Sequence, residues 1–235
     1  VIPGEEVFKL YDTHGFPVEL TEEIAAEQGF TVDTSGFEHS MQRQQERSRS
    51  ASTFVQAKDD QALTELLKRH GPTEFIGYEG FSGSSKVIGL VVDGKEVESI
   101  SAPQQALILL DITPFYAESG GQVGDQGDMT APLGVFHVQD TRRPLKGLIV
   151  HYGNISEGHL RVGDSVQAEV IEQRRLDTMR NHSATHLLHK ALRNLLGPQV
   201  EQRGSLVEPE RLRFDFTSPR ALTATDLAHI DEQIN

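Results

Sequence analysis

The chain of 235 residues contains no cysteine. That absence removes disulfide frameworks, thiolate metal sites and cysteine nucleophiles from within it. Long apolar runs are missing as well: the stretch from Gln105 to Leu110 is cut off by Asp111, far short of the roughly 18 residues a membrane helix needs. No membrane role is expected. No secretory signal is expected from the opening Val-Ile-Pro-Gly-Glu-Glu, which has neither a basic nor an apolar region. Positive charge is scarce, with 22 Lys and Arg against 35 Asp and Glu and a net −13 at pH 7. Taken alone, that balance opposes a polyanionic partner, since long-range repulsion slows encounter. Val1 is not an initiator methionine, and Asp226 to Asn235 stops inside a helix-like pattern without a Gly or Pro exit. Both ends are therefore expected to be cuts in a longer chain. What is present suffices for a core, at 37% hydrophobic and 24% charged, and the length suits one large or two ordinary domains.

The pattern along the chain predicts an α+β multi-domain protein. Residues 1–72 read as a helical segment: Pro3 precedes a helix over Glu5 to Tyr11, Thr21 opens a second closed by Gly29, and Ser35 or Gly36 opens a third. The third carries Arg43, Arg47 and Arg49 against Glu38 and Glu46, so it is locally basic. A fourth helix, Asp59 to His70, ends at Gly71-Pro72. Residues 73–172 change to a strand-like period. Lys86 to Val92 and Lys95 to Ile100 flank Asp93-Gly94, a pair that tolerates the positive φ of a type I′ hairpin turn. Further strands are expected over Ala106 to Leu110, Gly134 to Val138, Leu145 to His151 and Asp164 to Ile171, and short strands without intervening helices suggest a small β-barrel. Residues 173–235 form an α+β segment, with a long helix from Gln173 to Leu196 ended by Gly197-Pro198, strands at Ser205 to Val207 and Leu212 to Phe216, and a last helix from Thr225.

Charge is unevenly distributed. Between Gln173 and Arg213 eight Lys or Arg residues stand against four acids. The local net of +4 leaves −17 on the remainder, a pattern compatible with a nucleic acid bound at one place and equally with solvated helix residues.

Three stretches could carry chemistry. His182 and His186 are four apart in the long helix, so both imidazoles lie on one face and can reach one metal ion. Helical spacing puts an apolar arc of Ala184, Leu187, Leu188, Ala191 and Leu195 opposite them, which turns the histidines to a cleft or to solvent. His189 shares their face and reads as a bystander. No Glu follows the first His, so the zinc-protease pattern is absent. Pro114 to Gly127 is a long loop with Gly120, Gly121, Gly124 and Gly127, where the backbone can pass close to a ligand. It lacks the Lys-Ser/Thr of a phosphate-binding loop and does not run from strand into helix. Leu10 to Pro17 places Asp12 at a helix-to-turn junction, where it can accept from the exocyclic amine of a base or simply cap the helix.

Together these stretches resemble the alanyl-tRNA synthetase family. The residues that carry the resemblance are Phe8 to Thr21 with its Leu-Tyr-Asp-Thr-His-Gly-Phe-Pro core, Gly36-Phe-Glu and the Arg-rich helix after it, and Thr113 to Asp125. Arg180-Asn-His-Ser-Ala-Thr-His-Leu-Leu-His189, Gln202 to Val207 and Leu212 to Phe216 complete it, in the family's order and across nearly the whole chain. The resemblance implies a class II ligase that charges tRNA(Ala) with alanine and hydrolyses Ser-tRNA(Ala) and Gly-tRNA(Ala). It implies that residues 1–72 end a tRNA-recognition region in which Asp12 helps read the G·U pair of the acceptor stem beside Arg43 and Arg47. Residues 73–172 become the β-barrel before the editing domain, and residues 173–235 the first part of that domain. His182 and His186 match two zinc ligands, Thr185 and Gln202 match editing-pocket positions, and the Gly120-Gly121 loop borders the same pocket.

The same resemblance implies a Cys and a second His ligand beyond Asn235, and places upstream the motifs that use ATP and Mg in the full-length ligase. The chain alone is thus expected not to aminoacylate and to edit poorly. A cytoplasmic protein follows, and a homo-oligomer formed through a C-terminal region is compatible with it. Two other readings of the residues remain at this point: a tRNA-binding module without metal, and a free-standing deacylase, against which the helical segment argues.

Overall fold

The computed structural model of the chain describes residues 1–14, 18–37, 40, 61–218 and 220–234. Arg43 and Arg47, with the basic helix expected around them, lie outside these. The chain divides into two compact units, Val1–Ala57 and Lys58–Asn235.

In the first unit, α1 (Gly4–His14) starts directly after Pro3, whose carbonyl accepts the N–H groups of Glu6 and Val7. Asp12 falls in the last turn of α1, and its side chain lies outside what is described. Helix α2 (Val18–Glu27) begins three residues before Thr21, which is buried inside it rather than capping it. Its end carries the paired bonds of a Schellman motif, Phe30 N–H to Ala25 O at 2.8 Å and Gly29 N–H to Ala26 O at 3.0 Å. The helical turn at residues 34–37 is capped by Asp33, not by Ser35 or Gly36: Asp33 Oδ1 accepts the Gly36 N–H at 2.9 Å.

The second unit is built on a closed barrel of six antiparallel strands. These are β2 (Ser82–Val92), β5 (Gln104–Leu110), β9 (Leu148–Arg161), β8 (Gly134–Leu145), β7 (Gly127–Ala131) and β10 (Ser165–Val170), adjacent in that order, with β10 returning to pair with β2. The Asp93-Gly94 turn forms as predicted, with φ of 50° and 76°. Its second strand does not run to Ile100, however. It breaks into β3 (Lys95–Glu96), paired with β2, and β4 (Ser99–Ser101), which crosses to pair with β9. The expected strand from Leu145 to His151 is also corrected. Leu145 pairs with Leu148 across a Lys146-Gly147 turn, so the apolar stretch spans the tip of a hairpin whose second arm continues to Arg161. A short parallel pair, β1 (Glu74–Phe75) with β6 (Ile112–Thr113), lies beside the barrel.

Burial explains the run Ala106 to Leu110, which is apolar without alternation. Ala106, Ile108 and Leu110 enter the barrel interior with Phe115, Met129, Phe136 and Ile155. Leu109 points outward, yet it is buried beneath α3 (residues 61–70), where Ala62, Leu63 and Leu66 meet Val91, Leu148 and Val150. A strand covered on both faces has no polar side to show. Helix α3, grouped by the sequence pattern with residues 1–72, accordingly belongs to the same compact unit as the barrel.

One polar residue sits deep in the barrel unit. His151 is 0% exposed; its Nδ1–H donates to Ile108 O at 2.9 Å, and its Nε2 lies 2.8 Å from Thr113 Oγ1, whose proton it accepts. Thr113 Oγ1 in turn accepts the Phe115 N–H at 3.2 Å, at the start of the Gly-rich loop. Burial pushes the His151 pKa down from 6.5 to about 4, so the imidazole is neutral.

Helix α4 (Glu172–Leu196) matches the expected long helix and ends at Gly197. Its buried face coincides with the predicted apolar arc only in part, since Leu188, Ala191 and Leu195 pack against a core while Leu187 does not. The buried positions are Arg175, Thr178, Thr185, Ala191, Leu192 and Leu196, with His182 and His189 half-buried on the same stripe, whereas Leu187 is 51% exposed. The first half of the helix thus packs through polar residues, and only its last turns join an apolar core. That core comprises Ala191, Leu192, Leu196, Val200 and Ile230, flanked by Phe214 and Phe216. It is closed by the antiparallel ribbon β11 (Gln202–Val207) and β12 (Leu212–Phe216), and by α5 (Ala224–Ile234). Helix α5 begins one residue before the expected Thr225 and is capped by Thr223, through reciprocal bonds between Thr223 and Asp226. Among the described residues no helix is long and apolar enough to cross a membrane.

The polar packing of α4 centres on Arg175, 5% exposed. Its guanidinium binds the Asp125 carboxylate through Nε at 2.7 Å and through Nη2, and also donates to Pro114 O at 2.7 Å and Gly77 O at 3.1 Å. Asp125 accepts the Tyr116 N–H at 2.7 Å as well. One cation therefore joins α4, both ends of the Gly-rich loop and the segment after β1.

Two outcomes follow. Because the folded state binds fewer protons at His151 than the unfolded chain, its stability contribution is full above about pH 6.5 and falls as pH drops toward 4, by roughly 3 kcal/mol in total. Urea unfolding followed across that range reads it out, and a His151→Gln variant flattens the slope. Arg175→Met strands a buried carboxylate and two carbonyls and costs about 3–5 kcal/mol in the same assay. A loss below 1 kcal/mol would show that the ion pair is not a structural centre.

Candidate active site on helix α4

With Asp125 held at one end, the Gly-rich loop turns sharply at Ser119-Gly120-Gly121-Gln122. Ser119 and Gln122 exchange backbone bonds at 3.0 and 3.2 Å, and the two central residues have φ of 62° and 86°. Positive φ at both positions is the signature of a two-residue type I′ turn, which explains the glycine pair. The turn then docks on the ribbon: Val207 N–H donates to Gly121 O at 2.7 Å and Val123 N–H to Val207 O at 3.1 Å. Docking is close enough that a Cβ at Gly121 would lie 2.5 Å from the Ser205 carbonyl oxygen, whereas one at Gly120 would meet open space.

Docking the turn brings Gln122 against α4. The Gln122 side chain is nearly buried, and its Oε1 lies 2.7 Å from His182 Nδ1. A carboxamide oxygen can only accept, so Nδ1 carries the proton and Nε2 keeps its lone pair. One turn on, the His186 ring centroid lies 5.0 Å from that of His182, with the planes tilted by 37°. Partial burial, and then the neighbouring His186, push the His182 pKa below its ordinary value, which favours the neutral ring. Thr185, between them, is buried and donates its hydroxyl proton to Asn181 O at 2.8 Å. It therefore offers lone pairs, not a proton, to anything bound beside it.

A single small cavity gathers these groups. Its lining is Gly120, His182, Thr185, His186, His189, Gln202, Ser205, Val207 and Phe214. Of the residues singled out from sequence, His182, His186, Thr185, Gln202 and Gly120 meet here; Gly121 lies behind, in the turn's contact with Ser205. His189, read as a bystander, also lines the cavity: its ring centroid lies 5.0 Å from that of Phe214, and its Nε2 is buried without a protein partner among the described residues. Gln122, Ser205 and Phe214 went unread. None of the three lies on α4, and each reaches the site only through contacts distant in sequence.

The donor set suits a metal in part. Two imidazoles one turn apart, one of them with its second nitrogen engaged by an amide oxygen, could supply two of the four ligands of a tetrahedral zinc ion, with that amide as an outer-sphere partner. Among the described residues no group of three His, Cys, Asp or Glu side chains converges to complete it.

The family model described as tRNA synthetases class II (A) matches residues 1–174. The alanine–tRNA ligase of Roseiflexus castenholzii is 49% identical over 235 residues, all of this chain and 26% of that protein. The corresponding ligases of Thermus thermophilus and Chloroflexus aurantiacus are each 48% identical over the whole chain, which covers 27% and 26% of them. The chain thus spans about a quarter of the length of these relatives, and it belongs to the class II alanyl-tRNA synthetase family.

Proposed function

We propose that this chain is the middle of an alanine–tRNA ligase, contributing acceptor-stem recognition from its helical segment and half of a zinc-dependent pocket that hydrolyses Ser-tRNA(Ala) and Gly-tRNA(Ala). The observation that carries this reading is the meeting of His182, His186, Thr185 and Gln202 in one cavity beneath the Gly120 turn. His182 and His186 would hold zinc through their ring nitrogens, with a Cys and a His beyond Asn235 completing the set. Zinc bound there supplies Lewis acidity to orient an ester or acidify a water.

The chain's own residues supply selection. Thr185 Oγ1, its proton committed to Asn181, can accept a hydrogen bond from a substrate hydroxyl, and a placed acceptor separates a serine from an alanine far better than pocket size does. Gln202 faces the same space with an amide that can donate and accept. The basic residues that give the 173–213 segment its excess are largely ion-paired at the surface, as in Arg180–Asp177, Arg203–Glu201, Arg211–Glu208 and Arg213–Asp215. Exposed pairs of this kind hold weakly and exchange readily for phosphate, so tRNA binding should fall steeply with salt. In the helical segment Asp12, Arg43 and Arg47 would meet the acceptor stem. ATP and Mg belong to aminoacylation by the whole ligase, through motifs outside this chain.

The test is deacylation of Ser-tRNA(Ala) by the full-length ligase. His182→Ala or His186→Ala lowers both zinc content and deacylation, the latter on the order of a hundredfold or more; full activity in either variant sinks the assignment. Asp12→Ala lowers discrimination in favour of the G·U-bearing acceptor stem by about tenfold, the worth of one base-edge contact, and an unaltered preference returns Asp12 to helix capping.

A further inference from the structure

The Gly-rich loop does more than border the cavity. We propose that Gln122 is a positioning residue: its amide oxygen accepts the Nδ1 proton of His182 and so holds that imidazole in one tautomer and one orientation, with the unprotonated Nε2 presented to the cavity. The hydrogen bond spans 2.7 Å and links residues sixty positions apart. Which ring nitrogen of a histidine is free for a ligand is set by what the other nitrogen bonds to.

Three anchors hold Gln122 in place, and none of them uses its side chain. Its backbone closes the turn with Ser119, the residues on either side bond to Val207, and Asp125 three positions on is gripped by Arg175. The Gln122 backbone is thus set by the barrel and the ribbon together, while its side chain remains available to His182. The barrel, through this loop, becomes part of the machinery that orients a side chain on α4. Because the anchors are main-chain bonds or belong to other residues, replacing the side chain leaves the turn intact.

As a statement about tautomer the proposal stands on geometry; as a contribution to hydrolysis it rests on the pocket reading given above. Nitrogen NMR of the chain with isotope-labelled histidine, free of metal and at mildly alkaline pH, separates the two. The expected result is an Nδ1–H tautomer for His182, a shift toward Nε2–H in Gln122→Ala, and recovery of Nδ1–H in Gln122→Glu, which keeps an acceptor at the same reach. A His182 already in the Nε2–H form, or a spectrum unaltered in Gln122→Ala, overturns the proposal. In the full-length ligase Gln122→Ala lowers zinc affinity and Ser-tRNA(Ala) deacylation by about 10–100-fold, with Gln122→Glu recovering much of both. If the tautomer responds as stated but the unsubstituted ligase neither binds zinc nor deacylates, the positioning role stands and the hydrolytic reading fails.

Discussion

The buried pair of Arg175 and Asp125 is the constraint on which the cavity depends. Two charges removed from water gain little net stability from each other unless their remaining hydrogen-bonding capacity is met. Here it is met in full view: the guanidinium also serves Pro114 O and Gly77 O, and the carboxylate also serves the Tyr116 amide. The pair therefore contributes less as a source of energy than as a statement of position. A slip of the Gly-rich loop against α4 would break several of these bonds at once and leave their polar atoms buried and unpaired.

From that placement the rest follows in sequence. With Asp125 held, the loop reaches the Ser119–Gln122 turn; with the turn seated on Val207, Gln122 meets His182; and with β11 so located, Gln202, Ser205 and Val207 form the wall facing the two histidines. His151 plays a quieter part at the other end of the same loop, where Thr113 passes its hydrogen bond on to Phe115. A neutral imidazole suits that position because it donates at one nitrogen and accepts at the other, joining β5, β6 and β9 through a single side chain.

Much of this architecture was legible from local chemistry. Asp93-Gly94 named its own turn, Gly197-Pro198 ended the long helix, and the changes of period at about residues 73 and 173 marked the beginning and end of the strand-rich region. What was not legible depended on partners distant in sequence. The stretch from Leu145 to His151 looked like one strand because Leu145 and Leu148, which flank the Lys146-Gly147 turn, are both apolar and both pack into the core beneath α3. Strand β7 was hidden inside Gly127–Ala131, where a Gly, an Asp and a Thr dilute the β-forming signal. The inward face of α4 was legible only in its last turns, where Leu188, Ala191 and Leu195 pack against the apolar core; earlier in the helix Arg175, Thr178, His182, Thr185 and His189 are turned inward instead, and a count of hydrophobic residues does not register them. His182, His186, Thr185 and Gln202, singled out together from the sequence, line one cavity, while Gln122 stayed invisible until the loop was seen folded back upon the helix.

Helix α3 bears on how this region can be divided. Leu63 and Leu66 seal the outward face of β5, so a segment begun after Pro72 uncovers Leu109 and Leu148, and one begun at residue 173 loses the loop that reaches His182. A composition-based boundary would thus separate a wall from its roof in the first case and a hinge from its door in the second. Within this chain residues 58 to 235 form one compact unit, so a division near Ala57 keeps together residues that pack on one another.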